Sequence, residues 1–136
     1  MDIRELYLYT QDMSVLYVED NKNLLSAKME IFKEIFKTAD AAENGLVGLK
    51  KYKKNRYDIV ITDLNMPYMN GLEMIDRILN IDANQAIIIV SAYLKTEYIS
   101  KLSKFKKIDF LTKPVGGDEL IRSIYEVIKP MKKLAV

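Results

Sequence analysis

The chain has 136 residues, 49% of them hydrophobic, and a formal net charge of +2, which is enough apolar material for one domain. It contains no Cys and no His, which excludes disulfides, thiolate metal sites, imidazole catalysis and a phosphohistidine. Any chemistry must therefore use carboxylates, hydroxyls, lysines and the backbone. No apolar run is long enough to span a bilayer, and the N-terminus lacks a signal-peptide pattern, so we expect a cytoplasmic protein.

Short apolar segments alternate with amphipathic helical segments along the whole chain. In chain order, the patterns predict a strand at 13–18, a helix at 21–36, a strand at 38–42, a helix at 44–54 and a strand at 57–62. They then predict a helix at 71–79, a strand at 86–90, a helix at 95–105, a strand at 107–111 and a helix at 118–129, ended by Pro130. Residues 2–10 fit one or two helical turns.

Continuous apolar strands between helical crossovers are typical of a parallel sheet covered on both faces. We therefore predict an α/β fold with a flavodoxin-like, doubly wound, five-stranded parallel sheet of order 2-1-3-4-5 and five helices. Residues 13–129 form this single domain. Residues 1–12 are an N-terminal extension, and residues 130–136 are a C-terminal tail or the start of a linker.

Polar residues follow the predicted strands at the point where each strand ends. Glu19 and Asp20 follow the first strand, Asp63 the third, Ser91 the fourth and Lys113 the fifth. In this strand order ligands bind where strands one and three meet, so the three carboxylates should converge. Oxygen ligands without His or Cys suit Mg²⁺ or Mn²⁺, and a lysine with a hydroxyl suits phosphoryl oxygens. A carboxylate nucleophile, a divalent cation and a lysine are what acyl-phosphate formation requires.

Four segments, in order and with matching spacing, resemble the receiver family of two-component response regulators, which includes the chemotaxis response regulator. They are residues 15–21 (VLYVEDN), 59–67 (IVITDLNMP) with Gly71, 90–92 (VSA) and 110–114 (FLTKP). The resemblance covers about residues 13–129. It implies a signalling switch whose phosphoryl group comes from a sensor histidine kinase or a phosphotransfer protein.

The resemblance also implies a role for each site residue. Asp63 is the nucleophile that takes the phosphoryl group. Glu19, Asp20, Asp63 and the backbone carbonyl of Asn65 hold Mg²⁺, with Mn²⁺ as a possible substitute. The protein then catalyses only its own phosphorylation and dephosphorylation, so we do not expect an enzyme with a separate substrate.

The remaining implied roles concern the switch. Ser91 and its neighbour Ala92 bind the phosphoryl oxygens, and Lys113 pairs with the phosphoryl group, and with Asp63 before modification. Phe110 occupies the aromatic switch position and moves inward when Ser91 moves. The peptide bond before Pro114 is cis in the family.

The surface of the helix 95–105, the strand 107–111 and the helix 118–129 is expected to carry the output signal. The lysines of this surface are Lys95, Lys101, Lys104, Lys106 and Lys107. They favour an acidic partner surface. The partner is either an effector protein or domain, or a second copy of the chain in a phosphorylation-dependent homodimer. We expect no membrane contact and no direct contact with nucleic acid.

Several other interpretations are weaker or remain open. A magnesium-dependent phosphatase of the haloacid dehalogenase type needs a second acid two residues after its nucleophile, where this chain has Asn65. A flavodoxin-like electron carrier needs a Ser/Thr/Gly-rich loop after the first strand. Residues 116–120 (GGDEL) resemble the signature loop of diguanylate cyclases, but they precede an amphipathic helix, so Asp118 is predicted to be its N-cap. The chain is either a stand-alone receiver or part of a larger regulator.

Overall fold

The computed structural model describes residues 3–133, which form one five-stranded parallel sheet with helices on both faces. The strands are β1 (Ser14–Val18), β2 (Thr38–Ala42), β3 (Ile59–Thr62), β4 (Ala86–Ser91) and β5 (Ile108–Thr112). The helices are α1 (Ile3–Thr10), α2 (Lys22–Ile35), α3 (Gly45–Asn55), α4 (Gly71–Ile81), α5 (Thr96–Leu102) and α6 (Gly117–Lys133). The strand order is β2-β1-β3-β4-β5, so the predicted fold class and strand order are confirmed.

Asparagine side chains begin three of the helices at the carboxyl end of the sheet. Asn21, Asn44 and Asn70 each accept a hydrogen bond from the backbone N–H three residues on, at 3.0, 2.9 and 2.8 Å. This capping replaces a helical partner that the first N–H groups lack. These asparagines therefore fix where α2, α3 and α4 start.

The predicted number of five helices is wrong by one, because residues 3–10 form a complete helix within the described part of the chain. Leu6 of α1 is fully buried in the core, and the Thr10 hydroxyl donates to the Leu6 carbonyl. The ring of Tyr9 meets the ring of Tyr125 on α6 edge to face, with centroids 5.6 Å apart. Packing against α6 therefore stabilises a segment too short to be a stable helix alone.

Both predicted ends of the last helix are also wrong. The Leu120 N–H donates to the Gly116 carbonyl, so α6 begins at Gly117 and Asp118 lies in its first turn rather than at the N-cap. The helix continues through Pro130 to Lys133. A proline leaves the carbonyl four residues earlier without its partner, but that residue, Glu126, is exposed and water can serve instead. Residues 134–136 of the predicted tail lie outside the described residues.

The core consists of two apolar layers, one on each face of the sheet. Most residues of β1, β3 and β4 are buried, since they lie between sheet neighbours and under helices. One layer packs under α1, α2 and α6, and the other under α3, α4 and α5. None of the helices in residues 3–133 has the length and the apolar composition needed to cross a membrane.

Candidate functional site

The register of the parallel strands brings the carboxylates together at one edge of the sheet. Val18 lies opposite Thr62 in the β1–β3 pair, so the next residues, Glu19 and Asp63, leave neighbouring strands at the same level. One carboxylate oxygen from each of Glu19, Asp20 and Asp63 lies within 4.8 Å of the others. Glu19 and Asp63 are buried, whereas Asp20 is exposed. The cluster is therefore open to solvent on the side of Asp20.

Lys113 connects two of these carboxylates. Its Nζ lies 2.7 Å from Glu19 Oε1 and 3.0 Å from Asp63 Oδ2. Burial by itself lowers the pKa of the Lys113 ammonium, but hydrogen bonds and charge interactions with Glu19 and Asp63 outweigh burial and raise that pKa above its ordinary value. Lys113 therefore carries a full positive charge at neutral pH, directly beside the predicted nucleophile.

The other oxygen of Asp63 is held by the backbone of the loop that follows it. Oδ1 accepts hydrogen bonds from the N–H groups of Leu64, at 2.7 Å, and Asn65, at 3.4 Å. The loop then folds back, because the Gly71 N–H donates to the Leu64 carbonyl at 2.8 Å. A Cβ atom at Gly71 would lie 2.0 Å from the Asp63 carbonyl oxygen, so only glycine fits there. The carboxylate of Asp63 is thus fixed from both sides.

The donor set of this cluster fits a hard divalent cation. Glu19, Asp20 and Asp63 offer only oxygen ligands, which is the chemistry that Mg²⁺ prefers. Asn65 lies two residues after Asp63 on the same loop and is exposed. These residues are suited to hold Mg²⁺, which would lower the mutual repulsion of the carboxylates and neutralise charge on a phosphoryl group.

The predicted switch residues lie on the two neighbouring strands. Ser91 is buried at the end of β4, where its hydroxyl is hydrogen-bonded to the backbone N–H and carbonyl of Tyr93, at 3.3 and 3.4 Å. Phe110 is half-buried on β5, opposite Ile89. The Lys113 N–H donates to the Ser91 carbonyl at 2.9 Å, which joins the ends of the two strands.

Two more predicted residues complete this edge of the site. Ala92 is exposed directly after β4. The Lys113–Pro114 peptide bond is cis.

Tyr17 was not identified from the sequence as part of the site surroundings. It lies on β1 beneath the cluster, where burial, followed by the charges of Glu19 and Asp63, raises the pKa of its hydroxyl well above the ordinary 10.0. Tyr17 therefore stays neutral below the carboxylates at any physiological pH. Its position in an apolar strand, two residues before Glu19, was the available signal, but strand patterns favour tyrosine for packing alone.

Comparison with known proteins agrees with this geometry. Residues 15–125 match the family model described as the response regulator receiver domain. The chain belongs to this family. It is a receiver domain similar to the chemotaxis protein CheY of Thermotoga maritima, with 34% identity over 116 residues that cover 85% of this chain and 97% of that protein.

Two further relatives extend the comparison. The sporulation initiation phosphotransferase F of Bacillus subtilis is 34% identical to this receiver domain, covering 87% of the chain and 94% of that protein. A crystal structure of the CheX-CheY-BeF3-Mg²⁺ complex from Borrelia burgdorferi contains a similar chain. The TM-score is 0.79 and the identity 25%, over 90% of this chain and 97% of that one. Receiver domains interact with kinases, phosphotransfer proteins and effectors, and they generally bind Mg²⁺.

Proposed function

We propose that this receiver domain is a switch that is set by magnesium-dependent transfer of a phosphoryl group to Asp63. The observation that carries the proposal is the Lys113 ammonium, 3.0 Å from Asp63 and 2.7 Å from Glu19 inside a cluster of three carboxylates. If Lys113 only stabilised the fold, an ion pair with one carboxylate would be enough. A cation held beside a nucleophilic carboxylate is suited to receive phosphoryl oxygens.

The transfer step uses one oxygen of the Asp63 carboxylate. That oxygen attacks phosphorus, and the new O–P bond forms as the bond between phosphorus and the donor's leaving group breaks. The leaving group keeps the electron pair of the broken bond, which is an N–P bond in a phosphohistidine donor and an O–P bond in acetyl phosphate. Asp63 Oδ1 is fixed by Leu64 N–H, so the carboxylate is held in place for the attack.

Mg²⁺ would be held by Glu19, Asp20, Asp63 and the carbonyl of Asn65. When bound, it supplies positive charge for the phosphoryl oxygens, and Mn²⁺ can substitute because it accepts the same ligands. Lys113, beside Glu19 and Asp63, supplies a second positive charge. The domain acts only on itself in this scheme and has no separate substrate.

The proposed donor is a sensor histidine kinase or a phosphotransfer protein, and the proposed receiver of the signal is an effector protein or domain. The likeness to sporulation initiation phosphotransferase F and to a chain of the CheX-CheY complex supports protein partners for this domain. Since this chain has no His, the phosphohistidine must belong to the donor.

The signal leaves the site through the α5-β5-α6 face. The negative charge and the three acceptor oxygens of a phosphoryl group on Asp63 would draw the Ser91 hydroxyl away from Tyr93, and Phe110 would move toward the vacated space. Lys95, Lys104 and Lys106 are exposed on this face, so it favours an acidic partner surface or a phosphorylation-dependent homodimer.

Acetyl phosphate provides the direct test of the proposal. With Mg²⁺ present, the intact mass of the protein should rise by one phosphoryl group, and peptide mapping should locate it at Asp63. Removing Mg²⁺ with EDTA should stop the labelling, and Asp63→Asn should abolish it. Labelling of Asp63→Asn at the wild-type rate would refute the nucleophile.

A further inference from the structure

Tyr68 is a large aromatic residue that the fold of this chain does not explain. It lies on the loop between β3 and α4, five residues after Asp63, and 87% of its surface is exposed. Its φ angle is 68°, in the left-handed region that L residues with bulky side chains rarely adopt. A glycine would take this conformation without strain. Tyr68 therefore has a strained backbone angle, and its ring is not buried within the chain.

Two more exposed apolar residues lie on the segment that contacts the loop of Tyr68. Leu46 and Val47, on the first turn of α3, are 43% and 36% exposed. The two segments are in direct contact, because the Gly45 N–H donates to the Met69 carbonyl at 3.2 Å. A Cβ at Gly45 would lie 2.2 Å from that same oxygen, so the close approach requires glycine. The patch formed by Leu46, Val47 and Tyr68 is called the α3–loop patch below.

We propose that the α3–loop patch is a docking surface for the protein that donates the phosphoryl group. The inference rests on the proposed function of Asp63. A protein donor must bring its phosphorus atom into contact with a carboxylate that is only 8% exposed, so it must lie over the adjoining loop. Tyr68 is on that loop. Tyrosines with an exposed ring are among the residues that most often anchor protein interfaces.

The charges around the patch define the chemistry of the donor surface. Asp20 and Glu43 are exposed at this edge of the sheet, next to the buried carboxylates of Glu19 and Asp63. The donor should therefore present an apolar pocket for the Tyr68 ring, with Lys or Arg side chains on the rim that faces the carboxylates. An acidic donor rim would be repelled.

The test compares a protein donor with a small donor. Histidine kinases encoded in the same genome are purified, autophosphorylated and mixed one by one with the receiver domain, and the kinase with the fastest transfer is kept. Tyr68→Gly should lower kcat/KM for this kinase at least tenfold more than it lowers the rate of labelling by acetyl phosphate. The loss should lie mainly in KM, since docking contributes to binding before the chemical step.

Three variants make the outcome decisive. Tyr68→Phe keeps the ring and should keep transfer from the kinase, whereas Leu46→Ser should lower it. Leu8→Ser makes the same change at a more exposed leucine far from the patch, 74% exposed on α1, and should leave transfer unchanged. Unfolding of Tyr68→Gly should need at least as much urea as unfolding of the wild type, because the substitution relieves strain.

Equal losses with the kinase and with acetyl phosphate would overturn the docking role, because Tyr68 would then act on the site itself. Wild-type transfer from the kinase to Tyr68→Gly would also overturn it, as would labelling of the wild type by acetyl phosphate but by none of the kinases. A wild-type protein that acetyl phosphate cannot label would instead refute the proposed function of Asp63.

Discussion

One cation shared by two carboxylates is the central feature at the scale of single residues. Lys113 Nζ contacts Glu19 and Asp63, and Asp63 has its second oxygen bound by the Leu64 N–H. Removing one partner from such a group leaves the others with uncompensated charge, so the cluster responds as a unit. A phosphoryl group on Asp63 would offer new oxygens to the same ammonium. In the proposed function, the contact of Lys113 with Asp63 would therefore serve both phosphoryl transfer and the response to it.

Substitution of Gly71 tests how tightly the backbone around Asp63 is packed. A methyl group at this position would lie 2.0 Å from the Asp63 carbonyl oxygen and 2.8 Å from Leu64 Cα, and backbone atoms cannot yield as a flexible side chain can. Gly71→Ala should lower the free energy of unfolding by about 1–3 kcal/mol, measured by urea denaturation, and should slow labelling by acetyl phosphate. Gly116→Ala is the matched control, since nothing lies within 4 Å of its added Cβ. Equal stability of the two variants would contradict the close packing.

Tyr57 should make stability depend on alkaline pH. Burial, and then the hydrogen bond to Asp40, raises the pKa of the Tyr57 hydroxyl from 10.0 to about 12. Because the folded protein holds this proton more tightly than the unfolded chain, the stabilisation is complete below pH 10 and is lost as pH rises from 10 to 12. Relative to Tyr57→Phe, wild type should be more stable by about 1 kcal/mol at pH 8. In urea denaturation this difference should shrink above pH 10. A constant difference up to pH 12 would show that the hydroxyl is not the cause.

At the scale of secondary-structure elements, α1 is joined to the domain through α6. The matched family region begins at residue 15, so α1 precedes it, yet Leu6 is fully buried in the layer shared by α2 and α6. The Tyr125 hydroxyl on α6 also donates to Glu5 at 3.3 Å. The helix is thus part of the folded core of this chain, beside one of the three elements of the proposed output face.

Leu6→Ala measures the contribution of α1. Removing a fully buried leucine side chain should lower the free energy of unfolding by about 2–5 kcal/mol, because the cavity is only partly refilled. Leu8→Ala, on the same helix but 74% exposed, should change it by about 0.5 kcal/mol or less. Thermal and urea unfolding of the two variants give the comparison. If Leu6→Ala were as stable as Leu8→Ala, the helix would not be anchored in solution.

At the scale of the whole molecule, the site and the basic output face share the neighbouring strands β4 and β5, of which β5 is at the edge of the sheet. The Ser91 carbonyl accepts from the Lys113 N–H, and Ser91 lies opposite Thr112, so a change at the end of β4 meets β5 directly. Packed cores respond to such changes by switching between discrete arrangements. This arrangement favours a signal that spreads to α5, β5 and α6 rather than one confined to the loops.

Beryllofluoride, a mimic of the acyl phosphate, tests this route. With Mg²⁺ it should shift backbone amide resonances around Asp63 and also across residues 95–125, and sedimentation should detect any homodimer that forms. In Asp63→Asn the same addition should shift neither region. If the shifts in the wild type were limited to the loops around Asp63, they would contradict the proposed spread of the signal to α5, β5 and α6.

Much of the fold was predictable because its signals are local. Continuous apolar strands and amphipathic helices repeat along the chain, and even the weakly apolar strand at 38–42 lies where it was predicted. The errors lie in α1 and α6. Residues 3–10, expected to form one or two helical turns, form a sixth helix that packs against α6, and Pro130 did not end α6.

The sequence by itself determined the α/β fold class and the set of chemical groups that follow the strands, which come from hydrophobic periodicity and from the residue types after each strand. The strand order was predicted from the flavodoxin-like pattern that the resemblance to receiver domains implies. Only the tertiary structure decided that Lys113 also contacts Glu19, that Gly71 must lack a Cβ and that Tyr68 is strained and exposed. These properties depend on distances between residues far apart in the chain, or on a backbone angle imposed by the surrounding loop. No local pattern encodes either of them.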